Sequence, residues 1–236
     1  MLLKDSVIGV LGSGAMGSGI AQVAATSGHK VLLCDNNAAA LLKSKKDLNN
    51  VLQKLVDKQK INPEQQHKIQ TNISYVNNIS DLAPCDLVIE AIVENLEIKQ
   101  TVFKEFEKTL SNNCVLASNT SSLSITSIAS VCKNPERVIG IHFFNPAPLM
   151  PLVEIIPGIA TLGNTVTDSR NLIDTWGKTT VLAKDTPGFI VNRVARPYYS
   201  EALRIYEEGL AEISTIDWAM KEIGGFKMGP FELMDL

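Results

Sequence analysis

The sequence predicts an α/β fold: a Rossmann-type, mostly parallel sheet with helices on both faces, followed by part of an all-α second domain. Three observations predict it. Short apolar, β-rich runs alternate with longer helical segments over most of the chain. A glycine-rich turn joins the first strand to the first helix. After Asp185-Thr186-Pro187-Gly188 the β-rich runs cease and only helical patterning continues.

Residues 7–11 read as a strand buried on both faces, and residues 15–27 as the helix that follows, with Ile20, Val23 and Ala24 on one side. Residues 31–34 form the second strand, stopping at Asp35. A long helical segment covers residues 38–60 and resumes after Asn62-Pro63. Further strands are expected at 73–76, 86–91, 115–117, 138–141, 152–156 and 180–182. Residues 96–110 form a helix, with apolar side chains at 98, 102, 103, 106 and 110 in nearly helical spacing. Past the boundary, residues 189–209 and 214–221 read as helices, the second with Ser214 as N-cap and Asp217 as the acidic member of a capping box. Residues 1–186 are therefore expected to form the Rossmann-type domain, and 187–236 the incomplete start of a helical one.

Composition narrows the function. Apolar residues make up 45% and charged residues 20%, with a net charge of -3. That balance suits a globular protein with a real core and leaves no positive field to hold nucleic acid or an anionic membrane. No run of about 18 apolar residues is available to span a bilayer. Lys4 and Asp5 interrupt the apolar start, which runs directly into the glycine turn, so a signal peptide is not expected and a cytoplasmic location is. Cys34, Cys85, Cys114 and Cys132 form no CxxC pair, and His29, His67 and His142 are scattered; no metal site is expected.

Gly12-Ser13-Gly14-Ala15-Met16-Gly17 follows an apolar strand and opens a helix, the context that a dinucleotide fingerprint requires. Gly12 permits the tight turn, Gly14 lets the backbone approach a pyrophosphate, and Gly17 allows close helix–sheet packing. Ala15 and Met16 begin the helix whose unpaired N–H groups would face the phosphates. Asp35 stands roughly 20 residues on, where the fingerprint's acidic residue receives the ribose hydroxyls. No arginine follows in Asn36-Asn37-Ala38 to accept a 2′-phosphate, which favours NAD over NADP. The competing reading is a structural glycine turn with a chance aspartate.

His142 stands where the strand ending at 141 runs out, and catalytic groups in open α/β sheets gather at the carboxyl ends of strands. Glu154 interrupts the apolar run of residues 152–156, which is costly unless the carboxylate is paired. Pro146, Pro148 and Pro151 turn the chain between them and could bring the two together. The pair would then serve as a general base and the group that orients it. The alternative places Glu154 on an edge strand facing outward. Residues 38–70 carry Lys43, Lys45, Lys46, Lys54, Lys58, Lys60 and Lys68, either a site for a phosphorylated substrate or a solvated helix face.

Together these segments resemble the L-3-hydroxyacyl-CoA dehydrogenases, including the 3-hydroxybutyryl-CoA dehydrogenases. The likeness rests on VIGVLGSGAMGSGIAQVAA, DLVIEAIVENLEIKQTVFKE, SNTSSLSIT, IGIHFFNPAPLMPLVEII, DTPGFIVNR and MGPFELMDL, which occur in family order along the chain. The resemblance implies NAD-dependent oxidation of a 3-hydroxyacyl-CoA to a 3-oxoacyl-CoA, with His142 as base and Glu154 as its partner. It implies that Ser121 and Asn192 hydrogen-bond substrate, and that Glu94, Lys99, Asn119 and Asn145 line the nicotinamide-ribose side of the cofactor site. Lys58 falls on the helix that the family uses for coenzyme A, although Val51 stands where a serine is often found. The family continues for several more helices that complete the substrate cleft and form a homodimer, so a chain ending at Leu236 is expected to be catalytically impaired.

Two rivals remain. A dehydrogenase of free β-hydroxyacids uses a lysine where this sequence offers His142 and Glu154. A crystallin-like or regulatory NAD binder would share the fold without the reaction.

Overall fold

The computed structural model describes Leu2 and residues 5–235; Lys4, invoked above as a break in the apolar start, and Leu236 lie outside the described residues. The chain forms two compact units, Met1–Pro187 and Gly188–Leu236.

The strands of the first unit are β1 (Ile8–Leu11), β2 (Val31–Cys34), β3 (Ile73–Val76), β4 (Leu87–Glu90), β5 (Val115–Ser118), β6 (Val138–Phe143), β7 (Leu152–Pro157) and β8 (Thr179–Leu182). Among the described residues they make one sheet in the order β3-β2-β1-β4-β5-β6-β7-β8. Every residue of β1, β4, β5 and β6 is buried, which explains why these strands are continuous apolar runs with no alternation. Neighbours are parallel from β3 through β6; β7 runs antiparallel to β6, and β8 parallel to β7. The chain passes from β1 to β2 and β3 on one side, then returns to β4 on the other. The order therefore reverses beside β1, and that reversal opens a crevice at the carboxyl ends of β1 and β4.

The helices of this unit are α1 (Ala15–Thr26), α2 (Ala38–Asp57), α3 (Pro63–Asn72), α4 (Leu96–Thr109), α5 (Ile125–Ala129) and α6 (Gly163–Thr175). Their starts are set locally. Asn37 accepts hydrogen bonds from the N–H groups of Ala39 and Ala40, and Asn95 from that of Ile98. Asn62 and Gln65 form a capping box around Pro63. Ile20, Val23 and Ala24 of α1 are buried in the same core as Ile8, Val10, Leu33, Ile89 and Ile141.

Local structure departs from expectation at several places. Strand β6 runs on through His142 to Phe143, because pairing of Phe143 with Val153 extends the ladder. Helix α6, in a stretch rich in polar and β-branched residues, is an addition; it links β7 to β8 and buries Leu172 and Ile173.

The second unit contains α7 (Val191–Glu207), α8 (Ile213–Glu222) and α9 (Pro230–Met234). Ser214 does not cap α8: the N-cap is Glu212, with no side-chain cap, and Ser214 lies inside the helix. The Asp217 carboxylate serves another helix, accepting the N–H groups of Phe231 at 2.9 Å and Glu232 at 3.0 Å in the first turn of α9. The Tyr198 hydroxyl donates to the carbonyl of Met228 at 2.9 Å, and its ring stacks on Phe226. Among the described residues, no helix is long and apolar enough to cross a membrane.

Candidate functional site

The glycine turn joins β1 to α1 at the crevice. Gly12 has φ of 103°, and a Cβ there would meet the Ala91 carbonyl oxygen at 2.5 Å. A Cβ on Gly17 would lie 1.8 Å from the Gly12 carbonyl oxygen. Gly14 is different: a Cβ would meet nothing within 4 Å, so this side of the turn is open to a ligand. Gly14 is also the N-cap of α1 without a side-chain cap, and the N–H groups of Ala15 and Met16 belong to the helix's unpaired first turn. A turn closed behind and open in front, at a helix N-terminus, fits a dinucleotide's pyrophosphate.

Asp35 follows β2 and reaches back to this turn. Its Oδ2 accepts from Ser13 N at 2.8 Å and Ser13 Oγ at 2.7 Å, while Oδ1 accepts from Asn37 N at 2.9 Å. Burial by itself would raise the Asp35 pKa, but the hydrogen bonds from Asn37 and Ser13 hold it below the usual value. The Asp35 carboxylate and the glycine turn are thus one hydrogen-bonded piece. Ser13 was missed by sequence reasoning; a hydroxyl between the first two glycines is the only signal it offers.

At the ends of β4 and β5 lies a charged cluster. Lys99 on α4 is buried, with Nζ 2.5 Å from Glu90 Oε1 and 3.3 Å from Glu94 Oε2. Glu94 Oε1 accepts from the Thr120 hydroxyl, from Ser121 N at 3.1 Å and from Ser122 Oγ at 3.3 Å. Burial would raise the Glu94 pKa; the Thr120 hydroxyl, Lys99 and the Ser121 N–H outweigh it and lower the value. Asn119 Oδ1 accepts from Phe143 N at 2.8 Å, tying the end of β5 to the end of β6. Glu90 is absent from the residues singled out in the sequence, although it carries the same signal as Glu154, a carboxylate in an apolar run.

His142 and Glu154 stand directly opposite each other in the β6–β7 ladder. Directly opposed antiparallel residues point to the same face with close Cβ atoms, so the register alone makes them neighbours. His142 Nδ1 lies 2.7 Å from Glu154 Oε2. Glu154 is 0% exposed and His142 5%. Strand β8 covers the far side of β7, which removes the outward-facing edge alternative for Glu154. The Phe144 ring packs 4.5 Å from the imidazole.

Lys58 is exposed and lines a cavity of about 720 Å³ together with Lys43, Lys54, Lys60 and Val51. Its other walls include Gly14, Ala15, Ser18 and Asn145. The structure therefore gathers Glu94, Lys99, Asn119, Ser121, His142 and Glu154 at adjoining strand ends, and sets Lys58 with Asn145 and Gly14 around one cavity. Asn192 belongs to the first turn of α7 in the second unit. The thiols of Cys34, Cys85, Cys114 and Cys132 are all pushed up by burial, to about 11 for Cys34 and Cys132 and about 12 for Cys114, and so stay protonated. Among the described residues, no three His, Cys, Asp or Glu side chains group as metal ligands.

Residues 7–186 match the family model for the 3-hydroxyacyl-CoA dehydrogenase NAD binding domain, and residues 188–236 that for the C-terminal domain. The chain is 47% identical over 236 residues to the 3-hydroxyadipyl-CoA dehydrogenase of Escherichia coli, covering 100% of this chain and 50% of that protein. It is 46% identical over 232 residues to the mitochondrial hydroxyacyl-coenzyme A dehydrogenase of Sus scrofa, covering 96% of this chain and 74% of the relative. The crystal structure of 3-hydroxybutyryl-CoA dehydrogenase from Escherichia coli superposes with a TM-score of 0.96 at 47% identity, over 99% of this chain and 49% of that one. The (S)-3-hydroxybutyryl-CoA dehydrogenase of Ralstonia eutropha gives 0.95 at 37% identity, over 98% and 82%. The chain thus spans half the length of the E. coli relative it matches.

Proposed function

The chain belongs to the 3-hydroxyacyl-CoA dehydrogenase family, and from that premise we propose that it oxidises L-3-hydroxyacyl-CoA to 3-oxoacyl-CoA with His142 as general base. The observation that carries this reading is the buried 2.7 Å contact between His142 Nδ1 and Glu154 Oε2. An ionised carboxylate only accepts hydrogen bonds, so it selects the tautomer with the proton on Nδ1, which makes Nε2 the basic nitrogen of the ring. Nε2 removes the proton of the 3-hydroxyl, and Glu154 stabilises the imidazolium that forms. Bound NAD would supply the acceptor for the hydride on the same carbon.

Other residues orient the reactants. Gly14 and the first turn of α1 receive the pyrophosphate, and Asp35 the ribose hydroxyls. Glu94, Lys99, Asn119 and Asn145 are assigned to the nicotinamide side, and Ser121 and Asn192 to hydrogen bonds with the substrate. The lysine-lined cavity supports a substrate bearing phosphates, with Lys58 contacting the coenzyme A portion. Hydride transfer depends on close approach and alignment, which is what these contacts supply.

The test is NADH formation across a series of 3-hydroxyacyl-CoAs, with His142→Ala as the control. The variant should lose about a hundredfold or more in kcat. Full activity in His142→Ala would sink the mechanism. NADH binding without oxidation of any 3-hydroxyacyl-CoA would identify a non-catalytic binder instead.

A further inference from the structure

Glu90 is 0% exposed. It ends β4 in register with Leu11, which precedes the glycine turn, and with Ser118, which precedes Asn119. A buried carboxylate at the meeting point of three strand ends is costly unless its oxygens are satisfied. Here they are. Oε1 accepts from Lys99 Nζ at 2.5 Å and from Ile92 N at 2.8 Å, and Oε2 accepts from Ser118 Oγ at 2.7 Å.

Two routes lead from Glu90 to the same segment. One passes through Lys99 to Glu94, which accepts from Thr120, Ser121 and Ser122. The other passes through Ser118, whose Oγ donates to Glu90 and accepts from Thr120 N at 3.2 Å. The Glu90 carbonyl also accepts from Asn119 N at 2.8 Å. Of the two carboxylates that share Lys99, Glu90 is nearer and fully shielded, whereas the Glu94 side chain is 37% exposed and screened by water. Glu90 therefore sets where the ammonium sits, and Glu94 follows it.

We propose that Glu90 is a positioning residue for the cofactor site: it pins Lys99 against Glu94 and so holds Glu94 and residues 119–122 in the arrangement that receives cofactor and substrate. The inference rests on the reading of Glu94, Asn119 and Ser121 as site residues. A purely structural buried ion pair would affect folding stability alone, whereas a positioning role also affects the affinity of the folded protein for cofactor.

The test uses the full chain with Glu90→Gln, Glu94→Gln and the double variant, each measured for NADH Kd by fluorescence titration and for Tm. Glu90→Gln should weaken NADH binding by about tenfold or more in samples folded well below their Tm, as expected for losing charged hydrogen bonds. Glu94→Gln should weaken it comparably. The double variant should be little worse than the weaker single one, since both act through one chain of contacts. An unchanged Kd in Glu90→Gln alongside a weakened Glu94→Gln overturns the proposal and leaves the site reading standing. Additive effects in the double variant also overturn it. An unchanged Kd in Glu94→Gln overturns the site reading itself. Should Glu90→Gln fail to fold, Ser118→Ala breaks the second route without removing a charge. It should raise the NADH Kd about threefold and speed amide exchange at Thr120; no change in either overturns the proposal.

Discussion

Replacing Glu154 by glutamine removes one charge from a buried hydrogen bond while nearly preserving the side chain's volume. The bond spans 2.7 Å and neither partner is more than 5% exposed, so water screens it little. With the charge centres about 4 Å apart and an effective dielectric of about 20, the attraction between carboxylate and imidazolium is about 4 kcal/mol. A charge-assisted hydrogen bond measured by mutation is worth about 1.5–3 kcal/mol, which sets the lower bound. In the proposed mechanism the imidazolium forms as the proton leaves the substrate, so this energy falls on the transition state and should appear in kcat. The expected loss is roughly 10- to 1,000-fold, at about 1.4 kcal/mol per factor of ten. Steady-state NADH formation reads it, with NADH Kd measured on the same samples. That Kd should stay near the parent value, since the glycine turn and Asp35, the proposed cofactor contacts, follow β1 and β2. A kcat within threefold of the parent would refute the claim that Glu154 orients and stabilises His142.

Other perturbations separate fold from binding. Gly17→Ala should destabilise the first unit by about 1–3 kcal/mol or more, because its Cβ would collide with the Gly12 carbonyl; an unchanged Tm would contradict this. Gly14→Ala should keep the Tm but weaken NADH binding, since its Cβ points into open space, the proposed seat of the pyrophosphate; unaltered affinity would place the cofactor elsewhere. The Asp35 and Glu94 carboxyls lie below their ordinary values of 3.8 and 4.5. Each therefore contributes stability that is fully present above those values and is lost as pH falls through the lower folded-state pKa. Urea midpoints should accordingly drop in acid below about pH 4, and less steeply in Glu94→Gln; parallel curves would exclude a contribution from Glu94. Asp217→Ala should cost the second unit about 1 kcal/mol and speed amide exchange at Phe231 and Glu232, the two N–H groups it caps; slow exchange in the variant would show that the cap is dispensable.

Much of this architecture is legible in the sequence because local rules and burial agree. Strands β1, β4 and β6 are covered on both faces and so read as apolar runs, and Asn62-Pro63 with Gln65 spells out the start of α3. The glycine turn is equally plain, since Gly12 and Gly17 answer to backbone clashes that no side chain could relieve. Where competing partners exist, local pattern is silent. Helix α6 has few apolar positions and owes its place to burial of Leu172 and Ile173. Asp217 has a helix of its own, yet its carboxylate is taken by the unpaired amides of another.

The sequence by itself determined the α/β fold, the dinucleotide fingerprint and the family, all of which depend on residues close together along the chain. Glu90 and Glu154 show what it left to the tertiary structure. Each stands out as a charge in an apolar strand, but nothing in the sequence says what neutralises it. The antiparallel register of β6 and β7 sets Glu154 opposite His142. The parallel register of β4 and β5 sets Glu90 opposite Ser118, 28 residues away, while α4 returns Lys99 to it. A buried charge must find a partner, and only the packing of strands and helices decides which one comes within reach.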